Sequence, residues 1–133
     1  MLSKSKLKYI QTLGQKKFRQ QEGCFIAEGP KIVEELLAAE RVMVKEVFAL
    51  NEWINENSRL LKKTTYTEIT QRELEKISQL KTPNEVFAIV QQFADAGPVI
   101  TTGRITLALD TLQDPGNLGT IIRMADWFGV QQL

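Results

Sequence analysis

The sequence predicts an α/β chain: a three-layer α/β sandwich followed by the start of a second α/β domain. Three observations carry this. Helical and strand-like segments alternate from the N-terminus to about residue 93, the pattern of a sheet covered by helices on both faces. A Gly/Pro/Thr-rich break with a single charge, 94–103 (ADAGPVITTG), follows and reads as a boundary between domains. Beyond it, 105–130 (ITLALDTLQDPGNLGTIIRMADWFGV) reads as strand, loop and helix. The expected domains are residues 1–95, a linker at 96–103, and a second unit at 104–133.

The first 21 residues hold six cations, Lys4, Lys6, Lys8, Lys16, Lys17 and Arg19, and no acid. Leu2, Leu7, Ile10, Leu13 and Phe18 form a loose helical face among them, with Ser3 or Ser5 as cap. Such a helix is either a solvated amphipathic surface or a basic arm on RNA phosphates, with Tyr9 or Phe18 for stacking. Spacing alone does not choose. Residues 23–28 (GCFIAE) predict a short strand, and Gly29-Pro30 opens a helix with proline at its first position. Ile32, Val33, Leu36 and Leu37 form that helix's buried face, and Glu34, Glu35 and Glu40 its wet side. A strand over 42–50 follows, then a short helix capped by Asn51, then a β-rich run, TTYTEI, ending at Ile69. Thr70 and Glu73 have capping-box spacing and open a helix through Leu74, Ile77 and Leu80. Thr82-Pro83 stops it, and 86–93 (VFAIVQQF) is the last strand of the first domain.

In the second unit, Ile105, Leu107 and Leu109 alternate with Thr106 and Ala108 as in a strand. Pro115-Gly116 suits the centre of a type II turn. Asn117 is placed as N-cap of the following helix, and Gly129 as the residue just past its end. Leu118, Ile121, Ile122, Ala125 and Phe128 share its expected inner face, and 130–133 (VQQL) reads as the entry to a further strand. At 100° per residue Arg123 points about 160° away from that face. Trp127 lies four residues further along the same outer side. An outward arginine is commonly just solvated, whereas an exposed indole marks a contact surface.

Composition narrows the chemistry. The chain has 133 residues, a formal net charge of +1, one cysteine and no histidine. Near-neutral charge gives no whole-molecule pull on nucleic acid. The lone Cys24 forms no intrachain disulfide and is compatible with a reduced intracellular setting. Without histidine there is no His-based triad or His general base, and no metal site is expected. No apolar run approaches the 18 or so residues of a membrane span, so the expectation is a soluble, cytoplasmic protein.

The run DPGNLGTIIRMAD (114–126) within LDTLQDPGNLGTIIRMADWFGV resembles the first signature motif of the SpoU-type (TrmH-like) RNA ribose 2′-O-methyltransferases almost residue by residue. FIAEGPKIVEELL, VKEVFAL and ISQLKTPNEVFAIV resemble segments of that family's N-terminal substrate-binding domain. The resemblance implies an N-terminal sandwich like the kink-turn-binding ribosomal proteins, held to engage RNA. An α/β-knot methyltransferase domain that binds S-adenosylmethionine follows in that family. One departure is visible. Where the family often reads T-P-x-G-V, this chain has Thr82-Pro83-Asn84-Glu85-Val86, and Glu85 lacks a glycine's freedom.

By carry-over, a ribose 2′-hydroxyl attacks the methyl carbon of S-adenosylmethionine in line. Asn117 would orient the ribose or a nearby backbone group, and Arg123 takes the motif's catalytic role. A guanidinium stays protonated at any physiological pH and is a poor base, so the favoured role is to orient a phosphate and stabilise the developing alkoxide. Asp114, Gly116 and Gly119 would shape the loop. The resemblance further implies a homodimer with sites at the subunit interface, an rRNA or tRNA substrate, and Lys4, Lys6, Lys8, Lys16, Lys17 and Arg19 as RNA contacts. About 30 residues do not normally close a core on a parallel sheet. The expectation is therefore a catalytically incomplete chain with no cofactor-binding residues of its own, part of a longer protein. The alternatives kept open are a non-catalytic RNA-binding module and, less favoured for want of a G-x-G-x-x-G run or a Walker lysine, a nucleotide-binding protein using Gly116–Gly119.

Overall fold

The computed structural model describes residues 2–94, 97 and 102–133. The chain divides into two compact units, Met1–Ala94 and Asp95–Leu133, each taken by itself below. Most of the break expected at 94–103 lies outside the described residues.

The first unit is a four-stranded mixed sheet with helices on both faces. Its strands are β1 (Cys24–Glu28), β2 (Val44–Ala49), β3 (Tyr66–Glu68) and β4 (Val86–Gln91), in the order β1-β4-β2-β3. β4 pairs antiparallel with both β1 and β2, and β3 pairs parallel with β2. The period-2 pattern sorts the side chains into two cores. Val47, Ala49, Val86, Ala88 and Val90 face one layer, made by α3 (Pro30–Ala38), α4 (Asn51–Glu56) and a 3-10 turn at Leu60–Lys63. There they meet Val33, Trp53, Ile54 and Leu61. Phe48, Phe87 and Ile89 face the other layer, made by α1 (Lys4–Thr12) and α5 (Gln71–Ile77), where they meet Ile10, Leu13, Leu74 and Ile77. β4 carries five consecutive buried residues, Val86 to Val90, because it is central and covered on both sides. This is the expected three-layer sandwich.

Several element boundaries differ from expectation, each for a local reason. The basic N-terminal segment is not one helix but two, α1 and α2 (Lys16–Glu22). The break falls at Gly14, and the Arg19 guanidinium donates to the carbonyls of Leu13 and Gly14 at 3.0 and 2.8 Å, satisfying the end of α1. Ser3 caps α1, accepting from the Lys6 N–H at 3.1 Å. Thr70 and Glu73 form the capping box of α5, but α5 ends at Ile77, short of Leu80. Glu28, at the end of β1, accepts from the Ser78 hydroxyl and from the Gln79 N–H, pulling the chain out of the helix. On α3, Ile32 is half exposed, and Glu34 accepts a hydrogen bond from the buried Trp53 indole at 3.3 Å instead of standing wholly in water.

Glu85, where the family it resembles often has glycine, lies in the left-handed backbone region, with φ +50°. Its carbonyl accepts from the Leu50 N–H at 2.9 Å, which ties the entry of β4 to the end of β2. A non-glycine residue there costs about 1–2 kcal/mol, and glycine's extra unfolded-state freedom offsets about 0.5–1 kcal/mol of any gain. Glu85→Gly is therefore expected to raise stability by about 0.5–1 kcal/mol. A denaturant midpoint equal to or below that of the parent sequence would show that the glutamate side chain compensates its own strain.

Among its described residues the second unit holds one helix, α6 (Pro115–Trp127). The expected strand at 105–109 is a single parallel bridge, Thr106 to Gln132, with the Leu107 N–H donating to the Gln132 carbonyl at 3.0 Å. One bridge does not propagate a ladder, so the remaining backbone is irregular. The helix start also differs. Asp114, not Asn117, is the N-cap, and its carboxylate accepts from the Asn117 N–H at 2.8 Å. Pro115 and Gly116 form the first helical turn rather than a type II turn, since proline's fixed φ suits the first helical position. At the other end Gly129, at φ +68°, closes a Schellman motif as expected. Val130 N–H donates to Ala125 at 2.8 Å, and Gly129 N–H to Asp126 at 3.1 Å. Of the expected inner face only Ala125 is buried, and Leu118, Ile122 and Phe128 stand exposed.

Candidate functional site

Two groups of side chains stand out in the sequence, and each sits in a different unit. The first lies along α6. Arg123 is exposed, and its side chain leans back towards the helix N-terminus, as long helical side chains do. Its Nη2 donates to the Thr120 hydroxyl at 3.4 Å, and that hydroxyl in turn donates to the Gly116 carbonyl at 3.0 Å. The guanidinium passes over Gly119, where a Cβ would lie 3.8 Å from Nη1. A Cβ at Gly119 would make ordinary van der Waals contact with the guanidinium. Thr120 is the residue that sequence reasoning missed. Its place three residues before the arginine and four after Gly116 was the available signal.

Asn117 is exposed in the first turn of the same helix, with its backbone N–H held by Asp114. The guanidinium presents positive charge on this stretch of α6, and the Asp114 carboxylate caps the helix end. Among the described residues the one ion pair is Lys6 with Glu46, so Arg123 has no carboxylate partner there. Such an arrangement can hold a phosphate or an oxyanion; a planar, always-charged guanidinium is suited to it. Trp127, four residues on, is 85 % exposed, with Phe128 and Met124 exposed beside it.

The second group is the basic N-terminal segment, and its six cations separate in the fold. Lys4, Lys8, Lys16 and Lys17 are exposed. Lys6 instead pairs with Glu46 at 2.5 Å and sits 5.9 and 5.8 Å from the ring centres of Tyr9 and Phe48. Arg19 is bound to the carbonyls that end α1. Tyr9 is half-buried against the second core, and its hydroxyl donates to Glu22 at 3.4 Å. Burial, with the negative charge of Glu22 and the neighbouring Cys24 thiol added, pushes the Tyr9 phenol up to about 12. Burial likewise raises the Cys24 thiol, which makes it a packing residue rather than a nucleophile. No group of residues able to hold a metal ion occurs among the described residues. No described helix is long and apolar enough to cross a membrane.

Residues 4–88 match the family model of the MRM3-like substrate binding domain. The chain is 31% identical over 125 residues to the 23S rRNA (guanosine(2553)-2′-O)-methyltransferase RlmP of Bacillus subtilis, covering 94% of this chain and 48% of that protein. The solved structure of a TrmH-family protein from Porphyromonas gingivalis superposes with a TM-score of 0.77 at 34% identity, over 98% of this chain and 50% of that one. The SpoU methyltransferase AviRb of Streptomyces viridochromogenes, solved in complex with AdoMet, gives a TM-score of 0.72 at 26% identity, over 96% and 51%. The chain spans about half the length of the relatives it matches.

Proposed function

The chain belongs to the SpoU-type (TrmH-like) RNA methyltransferase family and carries its MRM3-like substrate-binding domain, and from that premise we propose that it is the RNA-engaging part of an S-adenosylmethionine-dependent ribose 2′-O-methyltransferase. Its substrate is rRNA or tRNA, its setting the cytoplasm, and its working form a homodimer. Residues 1–95 hold the RNA, and 104–133 bring Asn117 and Arg123 to the reacting ribose.

The observation that carries this reading is Arg123. The side chain is exposed and uncommitted to any carboxylate among the described residues, and Thr120 steers it towards the start of α6. There it orients a phosphate of the RNA and stabilises the alkoxide that develops as the 2′-hydroxyl loses its proton. Asn117, on the first turn, orients the ribose. The exposed Trp127, Phe128 and Met124 supply apolar area for a second subunit. The exposed Lys4, Lys8, Lys16 and Lys17 act earlier, neutralising phosphates during encounter.

The cofactor is a different matter. The cavity formed beside α6, of about 160 Å³, is lined by Leu107, Ile121, Met124, Ala125, Phe128 and Val130. It presents no polar partner for the amino-acid and ribose groups of S-adenosylmethionine, whose burial requires hydrogen bonds. These residues do not fit the cofactor, and in our reading the 133 residues alone do not bind it.

Both halves of the proposal are measured on this chain. Calorimetric titration with S-adenosylmethionine should give no heat, whereas a structured RNA should bind at low salt. Replacing Lys4, Lys8, Lys16 and Lys17 together with glutamine should flatten the plot of log affinity against log salt by up to about 3–4, near 0.9 for each phosphate no longer neutralised. Absence of RNA binding at low salt would remove the RNA-engaging role. Clear micromolar cofactor binding would place the cofactor site within these residues and overturn the second half.

A further inference from the structure

A second basic surface lies on the first unit, away from the N-terminal lysines. It is built by the 3-10 turn at Leu60–Lys63 and the edge strand β3. From Asn57 to Thr67 the sequence (NSRLLKKTTYT) contains Arg59, Lys62 and Lys63 and no acid; Glu56 and Glu68 flank it. Leu61 is buried in the layer with Ile54 and Trp53, which fixes the turn against the sheet. The Leu60 and Leu61 N–H groups donate to the Asn57 carbonyl at 2.9 and 3.3 Å, and the Thr64 N–H to Leu61 at 3.1 Å. With about three residues per turn, positions three apart eclipse each other. Arg59, the N-cap, is helical in backbone at φ −68° and ψ −39° and, three residues before Lys62, falls on the same side of the turn.

Lys62 and Tyr66 line one cleft of about 340 Å³ with Ile54, Ser58, Leu61 and Thr64. Tyr66 is 49 % exposed, although it stands beside the buried Val47 in the β2–β3 register. The strand pairing holds its backbone while about half of the residue stays open. Arg59, Lys62 and Lys63 are all exposed and make no ion pair among the described residues. Glu46, beside Val47 on the neighbouring strand, is engaged by Lys6 and by the Thr67 hydroxyl, while Glu68, two residues beyond Tyr66 on β3, is exposed.

From this juxtaposition we propose that the β3 edge is a second RNA contact, specific for an unpaired stretch of the substrate: Tyr66 stacks on one exposed base, and Arg59 and Lys62 hold the phosphates beside it. A cationic track next to an open aromatic face is how single strands are held without sequence readout, because every base has a π-face and every linkage a charge. A purely anionic protein partner would use the cations but gain nothing specific from the ring. The inference rests on the RNA-engaging reading above and adds where, and to what form of RNA, the first unit binds.

The test uses the whole chain and two RNA probes, a hairpin and the same hairpin with an unpaired uridine tail. The tail is expected to tighten binding about tenfold. Tyr66→Thr, which keeps a strand-forming residue, should abolish that gain, and Tyr66→Phe should preserve it. Arg59→Gln with Lys62→Gln should lower the salt slope for the tailed probe by about 1.4, near 0.7 for each single-strand phosphate. Circular dichroism checks that each variant folds. A gain from the tail that survives all of these substitutions, or no gain at all, overturns the proposal while hairpin binding leaves the wider RNA reading standing. Failure of both probes to bind at low salt removes both. If poly-glutamate competes as well as RNA and is indifferent to Tyr66→Thr, the patch belongs to an acidic protein and the proposal fails.

Discussion

Arg123→Ala is expected to lower kcat for methyl transfer by at least about a hundredfold in the complete enzyme, with little change in thermal midpoint. The two halves of that expectation have separate origins. Stability should hold because the side chain is exposed and its hydrogen bond to Thr120 is long and solvated. Turnover should fall because, in the proposed role, the guanidinium acts on charge that appears only as the 2′-oxygen loses its proton, and removing such a group typically costs a factor of about 10²–10³. Arg123→Lys should recover little, since a point charge on a flexible stem does not reproduce a planar fork. Thr120→Val is expected to have a smaller effect of the same kind, as it frees the arginine from its guide. Steady-state kinetics with kcat and KM separated is the measurement. Unchanged kcat in Arg123→Ala would end the assigned role, and a change confined to KM would reassign it to binding.

Trp53→Ala is expected to destabilise the first unit by about 3–5 kcal/mol. Trp53 is 2 % exposed and is among the largest fully buried side chains. It fills the layer between α3, α4 and the sheet, beside Val33, Ile54 and Leu61. Truncation leaves a cavity too wide for short helices to close, and it strips Glu34 of its indole donor. Trp53→Phe should retain most of the packing and cost about 1–2 kcal/mol for the missing hydrogen bond and altered shape. Urea unfolding followed by far-ultraviolet circular dichroism measures both. A loss below about 1 kcal/mol in Trp53→Ala would mean that this layer collapses around the gap.

What is legible in the sequence follows from how local the controlling physics is. The capping box at Thr70 and Glu73, Pro30 at a helix start and Gly129 at a helix end are set by interactions within four residues, and all three stand in the fold as the sequence implies. The three-layer sandwich is legible because burial on two faces imposes period 2 on the strands between helices. The start of α6 differs by three residues from the expected one because Asp114 and Asn117 are both good caps. Proline at the next position, with its preset φ, decides between them.

The sequence by itself determined the family, through the run DPGNLGTIIRMAD, and the α/β layering, through periodicity. Only the tertiary structure decided which charges remain for a ligand. Lys6 and Arg19 look like their neighbours along the chain, yet one is held by Glu46 from β2 and the other by the carbonyls that end α1. Lys62 and Tyr66 look unrelated along the chain, yet a 3-10 turn pinned by Leu61 sets them in one cleft. The reason is the same in each case. A charge is available or spent according to what lies within a few ångströms of it in space, and chain spacing encodes that distance only within a single helix or strand.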